Sequence, residues 1–163
     1  MVVDSTLRLY LFSFLSISSF IILLLSSSHA QVQALKYCDK NADYSVKVSG
    51  VKILPNPVVR GEPFTFKIAA YTDEPIQSGD LIYEISFVGV EAPPAIFHHD
   101  LCEESSCPVS AGNFLLIHTE LLPSYTPPGT YNVKLTFKDQ NDKQLSCIIF
   151  PFKIGAGSSV SAI

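Results

Sequence analysis

The sequence contains no tryptophan, a single methionine and no run of basic residues. Lysine and arginine total 11 against 15 aspartates and glutamates, which gives a formal net charge of -4 at pH 7. Nucleic-acid-binding proteins carry a basic patch, so we predict no nucleic-acid partner. Purely electrostatic attachment to anionic membranes is also disfavoured, and any transient membrane contact is expected to use apolar surface.

Catalytic motifs are also missing. The sequence has neither the G-x-S-x-G elbow of a serine hydrolase nor the H-E-x-x-H motif of a zinc protease. No cysteine is left to act as a nucleophile once the four cysteines pair. We therefore predict that the chain is not an enzyme and needs no cofactor.

No metal site is predicted either. His98 and His99 are adjacent, and adjacent residues of a strand point to opposite faces, so they do not easily converge on one ion. A zinc site built from Cys102, Cys107 and nearby histidines is the less favoured interpretation, because the cysteines of exported proteins meet an oxidising environment and form disulfides. His118 is expected to be an ordinary core histidine.

The N-terminus reads as an export signal. Arg8 precedes an apolar run from Leu9 to Leu25, and the segment 26–30 ends in a small-x-small site at Ala30. We predict a signal peptide over 1–30, with an uncleaved membrane anchor as the alternative. One domain over 31–154 and a disordered tail over 155–163 complete the predicted organisation. Export implies a secreted protein or one in an endomembrane or vacuolar lumen.

The four cysteines allow three pairings, and the sequence alone does not choose among them. Cys102 and Cys107 enclose the polar segment 103–106, a turn that could bring their Cα atoms within disulfide reach. Cys38 and Cys147 would then tie the start of the domain to its last strand.

The apolar pattern after the signal has a period of two, which predicts strands, and helix is scarce. The predicted strands are 44–54 with a bulge at Gly50, 64–70, 81–87, 131–137 and 144–154. Phe114 to Leu122 is apolar on both faces, which suits a central strand or one that partly faces a ligand cavity. Ala92 to Leu101 contains two prolines and is predicted as an edge strand or rim loop. These segments together predict an all-β, immunoglobulin-like sandwich of about seven strands.

A resemblance to a known family rests on an ordered set of motifs. They are Gly89-Val90 leading to Pro93-Pro94, the unit Cys102-x4-Cys107-Pro108, and Asp139 through Leu145-x-Cys147-x3-Pro151-x2-Ile154. Together they resemble the ML lipid-recognition family, which includes the Niemann-Pick type C sterol carrier and phosphatidylglycerol/phosphatidylinositol transfer proteins. The resemblance spans Cys38 to Ile154. This sequence differs from the sterol carrier in lacking a third disulfide near Leu54 to Arg60.

The resemblance implies that Cys38 pairs with Cys147 and Cys102 with Cys107. It also implies a secreted or lumenal lipid-binding or lipid-transfer protein that holds a phospholipid or sterol, as ligand, between its two sheets. A membrane-protein partner is compatible with this function. The alternative is an immunoglobulin-like interaction module with a filled core that binds a membrane receptor or a secreted protein.

A lipid-binding sandwich needs sheets that part at one edge, so that inward apolar side chains line an apolar cavity instead of interdigitating. The predicted lining takes inward strand positions together with two aromatic residues in proline-rich segments that match the entrance loops of the family. These residues are Phe66, Ile85, Phe87, Phe97, Ile117, Tyr125, Val133 and Leu135.

Overall fold

The computed structural model describes residues 32–156. The predicted signal peptide and the tail beyond Ala156 lie outside this range. Gly155 and Ala156 follow the last strand without regular secondary structure, and the Gly155 N–H donates to the Val58 carbonyl at 2.8 Å. Within residues 32–156 no helix has the length and apolar character needed to cross a bilayer.

The described residues form nine strands and one helix of a single turn. They are β1 Val32–Gln33, β2 Lys36–Tyr37, β3 Val46–Leu54, β4 Pro63–Thr72, β5 Gly79–Phe87, β6 Ala95–Asp100, α1 Leu101–Glu104, β7 Gly112–Leu121, β8 Gly129–Asp139 and β9 Gln144–Ile154. Strands β3 to β9 correspond to the predicted segments. The two additional strands, β1 and β2, have two residues each, too few for a periodic pattern to reveal.

All strand pairs are antiparallel and form two sheets. The first has the order β1-β3-β4-β7 and the second the order β2-β9-β8-β5-β6. The predicted immunoglobulin-like sandwich is confirmed. β6 is an edge strand of one sheet and β7 is an edge strand of the other. α1 lies in the connection between these two edges.

Alternating apolar and polar residues explain which face each strand buries. In β3, Val46 and Val48 are buried while Lys47 and Ser49 are exposed. The pairing of β3 with β4 shifts register between Val48 and Gly50, which confirms the predicted bulge. The shift lets both halves of the strand turn their apolar side chains inward.

β6 and β7 are the two segments whose patterns were unusual. β6 is an edge strand, as predicted. β7 is also an edge strand, so of its two predicted roles the central position is wrong. Its outward residues Leu115 and Ile117 are exposed, whereas Leu116 and His118 are buried. The apolar character of both faces thus reflects one core face and one exposed apolar face.

The core lies between the sheets, and two disulfide bonds cross-link the chain around it. Phe66, Leu81, Leu135 and Phe150 are at most 1% exposed. The disulfides are Cys38–Cys147 and Cys102–Cys107, with Cα atoms 5.4 and 5.1 Å apart, so the pairing implied by the family resemblance is confirmed. No free cysteine remains in the described chain.

Candidate functional site

A cavity of about 230 Å³ lies between the sheets, beside the edges formed by β6 and β7. Its wall comes from β4, β5, β6, β7 and the turn that follows β7. The lining residues are Phe64, Phe66, Tyr83, Ile85, Phe97, His99, His118, Glu120, Leu121, Leu122 and Pro123. Carbon atoms dominate this wall, so it suits an apolar guest.

Strand register explains why these side chains meet. Phe66 on β4 is paired with His118 on β7, and Tyr83 on β5 is paired with Phe97 on β6. The period of two then brings Ile85, two residues beyond Tyr83, to the same face. One inward pair from each sheet therefore faces the same space.

Exposure changes along the length of the cavity. His118 is buried and His99 is half-buried, whereas Phe97 and Leu121 are 49% and 61% exposed. The cavity thus has a closed, polar floor beside α1 and an apolar mouth at the start of β6 and the end of β7.

The floor contains a cluster of polar side chains around Glu104, whose side chain is 5% exposed. The Tyr83 hydroxyl donates a hydrogen bond to Glu104 Oε2 at 2.7 Å. His118 Nδ1 lies 2.8 Å from Glu104 Oε1, and His99 Nδ1 lies 3.7 Å from the same oxygen. The two imidazole rings are 4.4 Å apart between centroids. We call Tyr83, His99, Glu104 and His118 the floor cluster.

Burial and the neighbouring carboxylate both act on Tyr83. Burial disfavours the phenolate and raises the pKa of the Tyr83 hydroxyl above 10.0, and the charge of Glu104 and the hydrogen bond to it raise it further. The hydroxyl therefore stays protonated and remains a donor to Glu104.

Three of the predicted lining residues, Phe66, Ile85 and Phe97, lie in the cavity wall. Val133 and Leu135 on β8 also point inward, next to Ile85 and Tyr83 on β5, but they are completely buried in the packed core and are not part of the cavity wall. Inward alternation identifies the face correctly, but it does not distinguish a packed position from one that lines a void.

The other three predicted residues are not brought to the cavity. Phe87 packs on Tyr131, with ring centroids 4.8 Å apart, and against Gly129. Ile117 is 45% exposed on the outer face of β7, and Tyr125 is 84% exposed in the loop after that strand.

Ile117 instead lines a second hollow of about 670 Å³ on the outside of the domain. Most of that hollow is polar, with Glu103, Ser105, Ser106 and Asn113 in its wall. It lies over the Cys102–Cys107 turn and faces solvent. The inter-sheet cavity, with its apolar wall, is therefore the candidate functional site.

Several members of this site were not predicted from the sequence. The same alternation that pointed to Phe66 and Ile85 includes Phe64 and Tyr83, so the signal for those two was present. His99 and His118 were interpreted as rim and core residues, and Glu104 was placed in a turn. No sequence spacing indicates that these three residues meet, because they belong to β6, α1 and β7.

Comparison with known proteins places the chain in a family. The model of the ML domain matches residues 33–154. The chain belongs to the ML domain family. A putative phosphatidylglycerol/phosphatidylinositol transfer protein of Dictyostelium discoideum is 35% identical over 117 residues, covering 70% of this chain and 80% of the relative.

A second curated relative and one solved structure are also similar to this chain. A phosphatidylglycerol/phosphatidylinositol transfer protein of Kluyveromyces lactis is 29% identical over 132 residues, covering 72% of this chain and 74% of the relative. The crystal structure of a Niemann-Pick type C2 protein from the Japanese carpenter ant superposes with a TM-score of 0.59 at 17% identity. That superposition covers 75% of this ML domain chain and 99% of the ant protein, and it shows the shared fold.

Family membership bears on the predicted reaction class. The similar curated proteins are named as transfer proteins, and the ML domain is a binding and transfer module rather than an enzyme. This agrees with the sequence prediction that the chain is not an enzyme.

Proposed function

We propose that this ML domain binds a phospholipid and transfers it between membranes, holding a hydrocarbon tail in the inter-sheet cavity. The observation that carries the proposal is the apolar cavity between two sheet edges, walled by Phe64, Phe66, Ile85 and Phe97. The transfer-protein names of the Dictyostelium and Kluyveromyces relatives support a phospholipid as the ligand class.

The physical driving force is the removal of hydrocarbon from water. Burying about 400 Å² of a lipid tail contributes about 10 kcal/mol at roughly 25 cal/mol per Å². Association costs of about 4 to 15 kcal/mol oppose it, so burial of this size offsets the cost over much of that range without any covalent step.

The cavity must enlarge to admit its ligand. Its volume of about 230 Å³ lies below the roughly 300 to 1,000 Å³ of sites that enclose a drug-sized ligand. In the described chain β6 pairs only with β5 and β7 only with β4, so no backbone ladder joins the two edges beside the cavity. We propose that the tail enters by separating these edges at the mouth.

Exposed apolar side chains around the mouth would contact the bilayer during exchange. Ile96 and Phe97 on β6, Leu121 on β7 and Tyr125 in the following loop are all exposed large apolar residues. Residues of this kind insert at the headgroup level of a membrane without needing a positive surface. We propose a secreted or lumenal location on the export route, which the two disulfides support.

A matched pair of isoleucine substitutions tests the proposal. Ile85→Trp fills the cavity, whereas Ile117→Trp adds the same volume on the exposed outer face. Each protein is stripped of lipid on a hydrophobic resin, incubated with vesicles containing fluorescent phosphatidylglycerol and re-isolated for lipid quantification. Circular dichroism verifies that both variants are folded.

We expect about one lipid per protein for the unsubstituted chain and for Ile117→Trp, and at least a tenfold loss for Ile85→Trp. A parallel set of vesicles contains fluorescent sterol in place of fluorescent phosphatidylglycerol. Uptake of sterol alone would overturn the choice of phospholipid. Failure of the folded, unsubstituted protein to take up either lipid would favour the interaction module with a filled core.

A further inference from the structure

The floor cluster contains a buried carboxylate without a lysine or arginine partner. Among the ion pairs of residues 32–156, the groups that face Glu104 are His99 and His118. A carboxylate removed from water needs a cation or several hydrogen bonds to remain ionised. Tyr83 supplies one hydrogen bond, to Oε2.

The second oxygen of Glu104 is left without a hydrogen bond. Oε1 is buried and accepts none from the described part of the chain, although it lies 2.8 Å from His118 Nδ1 and 3.7 Å from His99 Nδ1. Two ring nitrogens and one carboxylate oxygen therefore converge on one small space. One donor atom from each of the three residues lies within 4.8 Å of the other two.

We propose that His99, Glu104 and His118 bind a Zn²⁺ ion at the floor of the cavity. Two imidazoles and one carboxylate form a donor set that zinc commonly takes, with bonds of roughly 2.0 to 2.2 Å. A tetrahedral ion with such bonds separates its donors by roughly 3.3 Å. The two separations from Glu104 Oε1, 2.8 and 3.7 Å, bracket that distance. All three donor atoms lie within 4.8 Å of one another, so side-chain shifts of at most about 1.5 Å bring them to the spacing that zinc needs.

The elements that carry the donors hold them in place. His99 is the penultimate residue of β6 and His118 lies within β7, while Glu104 is at the end of α1. The Asp100 side chain accepts a hydrogen bond from the Cys102 N–H at 2.7 Å, and the Cys102–Cys107 disulfide closes the turn after α1. This framework orients Glu104 toward the histidines before any ion arrives.

Tyr83 is not one of the three proposed ligands, but it orients Glu104, which is. Its hydroxyl fixes Oε2 of Glu104, as hydrogen-bonded outer groups commonly orient the carboxylates that bind metals. Because His99 and His118 also line the cavity, the fourth position of the ion opens toward it and takes a water molecule. This inference does not depend on lipid binding, since the ion needs only residues of the chain itself.

Zinc titration of the disulfide-bonded protein tests the site. The protein is prepared without a polyhistidine tag, treated with EDTA, dialysed and titrated with ZnCl₂ by calorimetry near neutral pH. We expect one ion per protein. We also expect Co²⁺ to give the visible absorption of a four-coordinate ion with nitrogen and oxygen donors, which a solvated ion would not show.

Three substitutions and one control locate the ion. Glu104→Gln and His118→Gln are expected to weaken zinc binding at least a hundredfold, and Tyr83→Phe by about 10- to 100-fold. His98→Gln is the matched control, because His98 is the exposed neighbour of His99 on β6 and should leave the affinity unchanged.

Nitrogen-15 NMR of the unsubstituted protein provides a readout that does not depend on the stability of the variants. Zinc should shift the ring nitrogens of His99 and His118 while those of His98 stay in place. Absence of stoichiometric binding, shifts confined to His98, or full affinity in folded Glu104→Gln and His118→Gln would each overturn the proposal.

Discussion

At the edge formed by β1 and β2, the chain crosses from one sheet to the other between Gln33 and Lys36, whereas at the edge formed by β6 and β7 the crossing is made by α1 and the turn after it. We call these the closed edge and the cavity edge. At the closed edge, the Tyr37 hydroxyl accepts a hydrogen bond from the Val48 N–H at 2.8 Å and lies 3.2 Å from the Val48 carbonyl, to which it donates.

Covalent and main-chain bonds also fix the end of β2 to its neighbour β9 in the five-stranded sheet. Cys38 is bonded to Cys147, and its N–H donates to the Cys147 carbonyl at 2.9 Å. At the cavity edge, the contacts beside the cavity are between side chains, chiefly those of His99, Glu104 and His118. At the closed edge only residues 34 and 35 separate β1 from β2, and the Tyr37 side chain is bonded to the Val48 backbone of the other sheet. The cavity edge has a longer crossing and is joined beside the cavity by side chains, so a guest should enter there.

Removing each disulfide in turn is the strongest way to break this comparison. The Cys38–Cys147 bond spans a sequence separation of 109 residues and the Cys102–Cys107 bond a separation of 5. In the chain-entropy model, Cys38→Ser with Cys147→Ser lowers the free energy of unfolding by about 5 kcal/mol, and Cys102→Ser with Cys107→Ser by about 2 kcal/mol. Urea unfolding measures both.

The order of these two effects is the informative result. A larger loss at the short bridge would mean that the cavity edge, rather than the closed edge, carries more of the stability. It would contradict the view that the closed edge is the more firmly held of the two.

A pair of tyrosine substitutions sharpens the comparison at the level of single hydroxyl groups. Tyr83→Phe leaves a buried, charged oxygen of Glu104 without its donor and is expected to cost about 2 to 3 kcal/mol. Tyr37→Phe removes the hydrogen bonds to the Val48 backbone from a half-buried site and is expected to cost about 1 kcal/mol.

Thermal or urea unfolding of the two variants provides the measurement. Equal losses would show that the buried carboxylate is compensated by another group when Tyr83 loses its hydroxyl. Retained structure in both variants can be verified from the near-ultraviolet circular dichroism of the remaining tyrosines.

A dependence of stability on alkaline pH is also expected. The folded state raises the pKa of Tyr83 above 10.0, chiefly by burial, so the unfolded chain loses this proton first as the pH rises. The contribution of Tyr83 to stability is therefore fully present below about pH 10 and declines above it, by about 1.4 kcal/mol per pH unit.

Urea unfolding from about pH 9 to about pH 11 checks this sign, with the range set by the ordinary tyrosine pKa. Tyr83→Phe should reduce the slope by one proton, and the remaining slope includes Tyr131, whose pKa burial also raises. A slope that is unchanged in Tyr83→Phe would show that the hydroxyl is not held in its protonated form by the fold.

Sequence periodicity was enough to predict the layers of the fold and part of the cavity wall. Phe66, Ile85 and Phe97 were identified from their alternation and from the proline-rich segment around Phe97. Val133 and Leu135 satisfied the same rule but lie in the packed core. Alternation reports which face a side chain occupies and says nothing about the separation of the sheets at that point.

Ile117 shows a second way in which pattern reasoning fell short. Because Phe114 to Leu122 is apolar on both faces, its inward residues could not be told from its outward ones by hydrophobicity alone. Pairing with β4 determines which residues of β7 face the core. The register that turns Leu116 and His118 inward turns Ile117 outward.

The sequence by itself determined the β-sandwich, the family and the apolar character of the interior. These features follow from alternation, turn residues and cysteine order, which can all be identified from the order of residues along the chain. Tertiary structure alone decided where the interior is hollow and that His99, Glu104 and His118 meet around one carboxylate oxygen. Those properties depend on the distance between two sheet edges and on how three consecutive elements, β6, α1 and β7, are placed relative to one another. Neither is encoded in the spacing of residues within any one strand.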